Sequence, residues 1–267
     1  MTQAAKLKKL KKIISQMPSV LIAFSGGTDS TFLLKIAQGV LGRKTLAVTA
    51  VSATYPEEEL AAAKKIAKSL NVRHKIIRTK ELRNKNFYSN PVDRCYFCKK
   101  ELFVQLRSIA SREKISFVLD ASNLTDKKDF RPGDRAKKEC KVRSPLQEAG
   151  LTKEDIRQLS KRLKLITWDK PSLACLASRI PYGREISSRL LRRIHQGERF
   201  LRNLGFKQVR LRHFDHSCRI ETPEKDLPNL FKRRKVIIEN LKRLGYNYVT
   251  IDLEGYRTGS LNEVIKR

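Results

Sequence analysis

The chain has 267 residues, 40% of them hydrophobic, enough for one large domain or two small ones around an ordinary core. Its 58 Lys and Arg against 27 Asp and Glu give a net charge of +31, which favours a polyanionic partner such as tRNA, although the excess is spread along the chain rather than clustered beside aromatic pairs. No apolar run approaches the roughly 20 residues of a membrane span, and five cysteines do not suit a secreted disulfide framework, so a folded cytoplasmic protein is expected.

Met1 to Gln16 has helical amphipathic spacing (Leu7, Leu10, Ile13, Ile14) without a signal-peptide core. Val20 to Phe24 then reads as a buried strand, followed at once by Ser25-Gly26-Gly27-Thr28-Asp29-Ser30 and a helical pattern through Phe32, Leu33, Leu34, Ile36 and Ala37. Two adjacent glycines let the backbone approach a ligand, and the first N–H groups of a helix lack internal partners, so the stretch reads as a phosphate site. It has neither the Lys of the Walker loop nor the third Gly of the dinucleotide fingerprint.

Leu46 to Val51 reads as a second strand, Pro56 to Leu70 as a helix with Ala61, Ala62, Ile66, Ala67 and Leu70 inward, and His74 to Ile77 as a third strand. A helix from about Lys99 to Arg112 precedes a fourth strand over Ile115 to Asp120. Strands alternating with helices predict an α/β fold with a parallel sheet covered on both faces, its ligand beyond the strand carboxyl ends, where the polar loop Asn123 to Gly133 also returns. Thr152, with Asp155 three places on, marks a helix start running to about Leu163. Thr167 to Gly183 has neither period and reads as an ordered linker. Beyond it come a helix through Leu190, Leu191, Ile194, Leu201 and Leu204, stopped by Gly205, and a strand over Phe206 to Phe214. Gln208, Arg210 and Arg212 share one face of that strand and Val209 and Leu211 the other. A short strand over Cys218 to Glu221, a helix over Pro228 to Leu244 and a strand over Tyr248 to Leu253 complete a small α+β module. The expected domains are 1–166, a linker 167–183, and 184–267.

Ser-Gly-Gly-x-Asp-Ser resembles the PP-loop of ATP pyrophosphatases. Further stretches resemble the LarE family of ATP-dependent sulfur transferases in order and spacing: Asp93-Arg94-Cys95-Tyr96-Phe97-Cys98-Lys99, Asp129-Phe130-Arg131-Pro132-Gly133, Trp168-Asp169-Lys170-Pro171, Ala174-Cys175-Leu176-Ala177-Ser178-Arg179 and Asp252-Leu253-Glu254-Gly255-Tyr256-Arg257. The resemblance covers nearly the whole chain. It implies that ATP with Mg²⁺ activates a carboxylate of pyridinium-3,5-biscarboxylate mononucleotide as an acyl-adenylate, and that Cys175 displaces AMP. Cleavage of the Cys175 Cβ–S bond then leaves a thiocarboxylate, toward the nickel-pincer cofactor of lactate racemase, and a dehydroalanine.

Ala23, Ser25, Gly26, Gly27, Asp29, Ser30, Ser52, Asn123 and Arg131 are the candidate nucleotide-binding residues, with His74 bordering the adenosine. Asp29 is the candidate Mg²⁺ ligand; Asp126 is a second, although Ala121, Ser122 and Thr125 depart from the family's loop. Cys175 is the candidate nucleophile, with the cations Lys170 and Arg179 beside it in sequence. Arg210 and Arg212 are candidates to clamp a substrate phosphate, and Glu198 and Glu221 candidates for substrate contact or acid–base work, against the plainer reading of salt bridges to those arginines. Cys95 and Cys98 have a ligand spacing and with Cys175 could hold a [4Fe–4S] cluster that delivers sulfur catalytically; a redox pair or structural thiols read equally from the spacing. Cys140 and Cys218 read as buried thiols. The alternatives of another class are a tRNA-thiolating enzyme and a nucleotide-binding module without chemistry. The small second domain is expected to supply homo-oligomer contacts.

Overall fold

The computed structural model describes residues 1–128, 132–171 and 174–265. The chain divides into two compact units, Met1–Glu81 with Asp93–Leu173, and Leu82–Val92 with Ala174–Arg267.

The first unit opens with helix α1 (Gln3–Ser15), which buries Leu10 and Ile14. It is followed by β1 (Val20–Ala23), α2 (Thr28–Leu41), β2 (Thr45–Val51), α3 (Glu57–Ser69) and β3 (Arg73–Arg78). The sheet order is β3-β2-β1-β4, all pairs parallel, with β4 spanning Phe117–Leu119; Val20 aligns with Thr45 on one side and Phe117 on the other. Parallel neighbours need crossovers, and the amphipathic helices between the strands supply them. Period-two alternation sorts the two cores. Val20 and Ile22 of β1 and Ala47 of β2 face a core with Phe32, Leu33, Ala63 and Ile66, while Leu21, Leu46 and Val48 face one with Phe103, Leu106 and Ala136. The α/β architecture is the one the alternating pattern predicts.

Several local expectations are corrected. Helix α3 turns Ala63 inward and leaves Ala61 exposed, because 63, 66 and 67 form the stripe that meets the sheet. The next element, α4 (Lys85–Tyr88), is a single short turn; the helix after it, α5 (Arg94–Arg112), starts well before Lys99 and carries Cys95 and Cys98 in its first turns. Packing decides that start: Arg94 is buried, Tyr96 donates to Glu139, and Arg135 stacks on the Tyr96 ring at 3.6 Å. Residues Glu139 and Arg135 belong to α6 (Gly133–Glu139), which precedes α7 (Pro145–Glu148) and α8 (Lys153–Arg162). The expected capping box at α8 is present, Thr152 accepting from the Asp155 N–H and Asp155 from the Thr152 N–H.

The second unit holds α9 (Ser188–Asn203), β5 (Arg210–Phe214), β6 (Ser217–Glu221), α10 (Leu227–Lys232), α11 (Arg234–Arg243) and β7 (Tyr248–Ile251). Its sheet is mixed, β5 antiparallel and β7 parallel to the central β6. Leu201, Phe206, Leu211, Ile220, Leu241 and Tyr246 form its core. Helix α9 lies close on this core, and a Cβ at Gly197 would stand 2.4 Å from Leu211 Cδ2. The single helix expected over 228–244 breaks at Arg233, whose ψ of 10° leaves the helical basin. Strand β5 begins only at Arg210, which leaves Gln208 outside it, and Arg210 through His213 are all buried. The excursion Leu82–Val92 joins this unit through Asn90. Its side chain donates to the Pro181 carbonyl at 2.7 Å, and its carbonyl accepts from Gly183 N–H.

Candidate functional site

In the first unit the glycine loop leaves β1 at the carboxyl edge and enters α2, with Gly27 as N-cap. Gly26 is required twice over: its φ is +68°, and a Cβ there would be 3.2 Å from the Cα and Cβ of Ala63 on α3. Ser25 Oγ lies 3.1 Å from Ser30 Oγ and accepts from Gly27 N–H at 3.3 Å, while Ser30 donates to the Gly27 carbonyl. The loop carbonyls are held from outside. Tyr55 O–H donates to Ser25 O at 2.8 Å and Lys170 Nζ to Gly26 O at 3.2 Å. Since C=O and N–H oppose each other across a trans peptide, these two bonds set which way the Gly26 and Gly27 N–H groups face. Burial, reinforced by the Glu59 charge, pushes the Tyr55 phenol well above its ordinary range, so it stays a donor.

Lys170 had no assigned contact in the sequence beyond its nearness to Cys175. Here its ammonium pairs with Glu59 at 2.7 Å, and its own stretch is pinned to the loop helix by Thr28 Oγ1 donating to Thr167 O at 2.6 Å. A cation therefore reaches the loop from far along the chain, where the Walker loop would carry its own. The Trp168-Asp169-Lys170-Pro171 motif was the available signal.

Asp29, in the first turn of α2, accepts at Oδ2 from Asn123 Nδ2 at 3.2 Å. Asn123 is fixed in turn. Its Oδ1 accepts from Thr125 N–H, its carbonyl from Gln147, and its N–H donates to Asp126 Oδ2 at 2.9 Å. Asp126 thus shapes the loop that presents Asn123 to Asp29. Behind them lies a buried cluster that the sequence reading missed. Asp120 accepts from Ser122 Oγ at 2.6 Å and Ser144 Oγ at 2.5 Å, with Lys137 Nζ 3.6 Å away. An Asp ending the fourth strand was its only trace. Ser52 bonds Thr54, which donates to the buried Glu81. Thr49 gives its one proton to Phe24 O at 2.8 Å, so His74 Nε2, 2.8 Å from Thr49 Oγ1, must be the donor to that hydroxyl. Burial, with Lys64 nearby, lowers the His74 pKa and keeps the ring neutral. Ala23 ends β1, half-buried. Arg131 lies outside the described residues, as does Asp129.

Cys175 lies in the second unit. It is exposed and caps a 3₁₀ turn over Leu176–Arg179. Two buried ion pairs carry that turn. Arg179 meets Glu198 bidentately at 2.7 and 3.1 Å, and its Nη1 donates to the carbonyls of Ala174 and Cys175. Arg212 meets Glu221 bidentately at 2.7 and 3.0 Å and donates to Ser178 O at 2.6 Å and Ser260 Oγ at 2.7 Å. Burial alone would raise the Glu198 carboxyl, but Arg179, with Arg210 and the Leu211 N–H, outweighs it and the group sits below the ordinary carboxylate range. Arg210 lies 5.4 Å from the Tyr256 ring, and burial together with the Arg179 charge lowers its pKa. Three buried guanidiniums, Arg179, Arg210 and Arg212, thus meet two buried carboxylates, Glu198 and Glu221.

Among the described residues no three His, Cys, Asp or Glu side chains are arranged to hold a metal ion, and no helix is long and apolar enough to cross a membrane. Cys140 and Cys218 are buried.

The family model described as "Queuosine biosynthesis protein QueC" matches residues 19–91, which carry the glycine loop and three of the four parallel strands. The pyridinium-3,5-bisthiocarboxylic acid mononucleotide synthase of Lactiplantibacillus plantarum is 35% identical over 267 residues, 100% of this chain and 97% of the relative. The chain belongs to the LarE family. Uncharacterised relatives extend the likeness to Synechocystis, at 40% identity over 98% of this chain and 99% of the relative, and to Methanocaldococcus jannaschii, at 32% over 94% and 98%. This LarE-family chain therefore matches its relatives from end to end, PP-loop unit and Cys175 unit together.

Proposed function

We propose that this protein is an ATP-dependent sulfur transferase that converts pyridinium-3,5-biscarboxylate mononucleotide to thiocarboxylate products. The observation that carries the reading is the end-to-end likeness to a relative named as a bisthiocarboxylic acid mononucleotide synthase, in a chain that also has an anion loop and an exposed cysteine. The Gly26–Ser30 loop and the N-terminus of α2 bind the β- and γ-phosphates of ATP, and Ala23, Ser52 and His74 border the adenosine. A substrate carboxylate attacks the α-phosphorus, giving an acyl-adenylate and pyrophosphate. Asp29, oriented by Asn123, is a hard oxygen donor suited to Mg²⁺, which would neutralise phosphate charge there. The nucleotide phosphate of the substrate is received at β5 by Arg210 and Arg212, the latter exchanging part of its present contacts with Ser178 and Ser260 for the phosphate.

The Cys175 thiolate displaces AMP to form a thioester. Loss of the Cys175 Cα proton and cleavage of its Cβ–S bond then release the thiocarboxylate and leave dehydroalanine. Intact mass after one turnover with ATP, Mg²⁺ and the mononucleotide tests the reading. A loss of about 34 Da at Cys175, the mass of H₂S, is expected. Continued product at unchanged mass, from a brown and oxygen-sensitive protein, would instead make Cys95, Cys98 and Cys175 holders of a [4Fe–4S] cluster. A Cys175→Ser variant should release pyrophosphate with substrate and transfer no sulfur.

A further inference from the structure

We propose that the main-chain carbonyl of Cys175 is the electron sink of the sulfur-releasing step, and that Ser178 and Arg179 form an oxyanion hole around it. The inference rests on the reading of Cys175 as sulfur donor. Eliminating sulfur from a cysteine requires removal of its Cα proton, and the negative charge that develops must spread onto the residue's own carbonyl oxygen. A peptide Cα–H is a very weak acid, so groups that stabilise charge on that oxygen lower the barrier, most of all where water is excluded.

Three donors meet at this oxygen. Ser178 N–H lies at 2.9 Å, Ser178 Oγ at 2.8 Å and Arg179 Nη1 at 3.2 Å, the last sharing its two protons among this oxygen, Ala174 O and Ser178 Oγ. The first is the ordinary bond of a 3₁₀ turn; the other two are additions that the turn does not need. Arg179 Nη1 also lies 2.9 Å from Ser178 Oγ, so that hydroxyl accepts from the arginine and must give its single proton to the Cys175 carbonyl. The guanidinium is 1% exposed and locked by Glu198, and Arg212 holds the far end of the turn at Ser178 O. The donors are thus in place before any charge develops, and the Cys175 side chain remains exposed.

The step balances without an oxidant or reductant. A solvent-borne base takes the Cα proton, the electron pair passes through the polarised enolate into a Cα=Cβ bond, and sulfur leaves Cβ as the thiocarboxylate with both bonding electrons. Residue 175 becomes dehydroalanine.

The test uses an activation that does not depend on the natural substrate. A dialkylating dibromide converts exposed cysteine thiols to cyclic sulfoniums, which eliminate to dehydroalanine, and peptide mass spectrometry reads the rate at each site. Cys175 is expected to eliminate at least tenfold faster than the exposed Cys95 of the same molecules. Ser178→Ala, which removes one donor and leaves the buried pairs intact, should slow Cys175 by about 10- to 100-fold and leave Cys95 unchanged. With ATP and the mononucleotide, the same variant should release pyrophosphate at the normal rate and accumulate the substrate thioester on Cys175. Equal elimination at the two cysteines, or a Ser178→Ala rate like that of the parent, would overturn the oxyanion hole. Fast sulfonium elimination combined with no mass loss under ATP and substrate would keep the hole and overturn the sulfur-donor reading instead.

Discussion

Replacing Arg179 with Met tests the buried pairs under Cys175 directly. Arg179 and Glu198 are each 1% exposed, and the substitution leaves the carboxylate in place without its bidentate partner. Removing one member of a buried ion pair costs about 3–5 kcal/mol. Glu198 would keep Arg202 at 3.2 Å and the Leu211 N–H at 3.1 Å, which places the expected loss near the low end, about 3 kcal/mol. For a unit of this size that is a fall of roughly 12–24 °C in its thermal transition. The sign of the pH dependence follows. In the parent the Glu198 pKa is depressed, so its stabilisation is present above the unfolded carboxylate pKa and is lost as pH falls through the folded value. In the variant burial dominates and the pKa rises above the unfolded one, so the penalty grows with pH above roughly 4.3. The deficit between parent and variant should therefore be largest at neutral pH and shrink toward pH 4. The double variant Arg179→Met/Glu198→Gln should be more stable than Arg179→Met alone, measured by calorimetry across that range. A deficit below about 1 kcal/mol that does not change with pH would refute the argument that this pair is buried and coupled.

Gly26→Ala forces φ = +68° on a residue with a Cβ and drives that Cβ against α3, so ATP binding by calorimetry should be lost while the fold survives a cost of about 1–2 kcal/mol. Lys170→Met removes the ammonium from the loop carbonyl; ATP should bind about tenfold more weakly and AMP, which lacks the outer phosphates, with unchanged affinity. Although burial opposes it, Lys6 and the Thr152 hydrogen bonds lower the Asp155 pKa from 3.8 to about 2, so its stabilisation is lost as pH falls through that interval. Asp155→Asn should accordingly be less stable than the parent at pH 7 and equal to it near pH 2 in acid-unfolding curves. Gly197→Ala puts a methyl 2.4 Å from Leu211 Cδ2 and should lower the stability of the second unit by about 1–3 kcal/mol.

Period and capping made the first unit legible. Its strands alternate between two cores, and Thr152 with Asp155 marks a helix start that the structure reproduces bond for bond. What escaped were features decided by contacts distant in sequence. Lys170 meets the loop across 144 positions, and Asp120 gathers Ser144 and Lys137 from beyond the next loop. The two-residue spacing of Arg210 and Arg212 was visible, but their surroundings were not. Spacing placed them on one shared strand face, whereas burial of the whole strand gives each arginine its own set of partners. The start of α5 was missed because buried Arg94 and the Tyr96–Glu139 contact, rather than intrinsic propensity, fix it.

The two Arg–Glu pairs raise a question that stability alone does not answer. Buried ion pairs can often be replaced by well-packed apolar side chains at no cost, and sometimes with a gain. A small unit with both pairs beneath one turn is therefore not explained by its need to fold. The pairs fix charge and direction where apolar packing would supply neither. Glu198 and Glu221 each occupy two nitrogens of an arginine, and in both cases the remaining Nη1 is turned toward the main chain around Cys175. An apolar replacement that kept the fold would keep the cysteine exposed and remove the Arg179 donor from its carbonyl, leaving the two from Ser178. Stability and sulfur release should therefore separate when Arg179 and Glu198 are exchanged for hydrophobic residues: the unit would still melt cooperatively, and elimination at Cys175 would slow by about 10- to 100-fold through loss of the one charged donor.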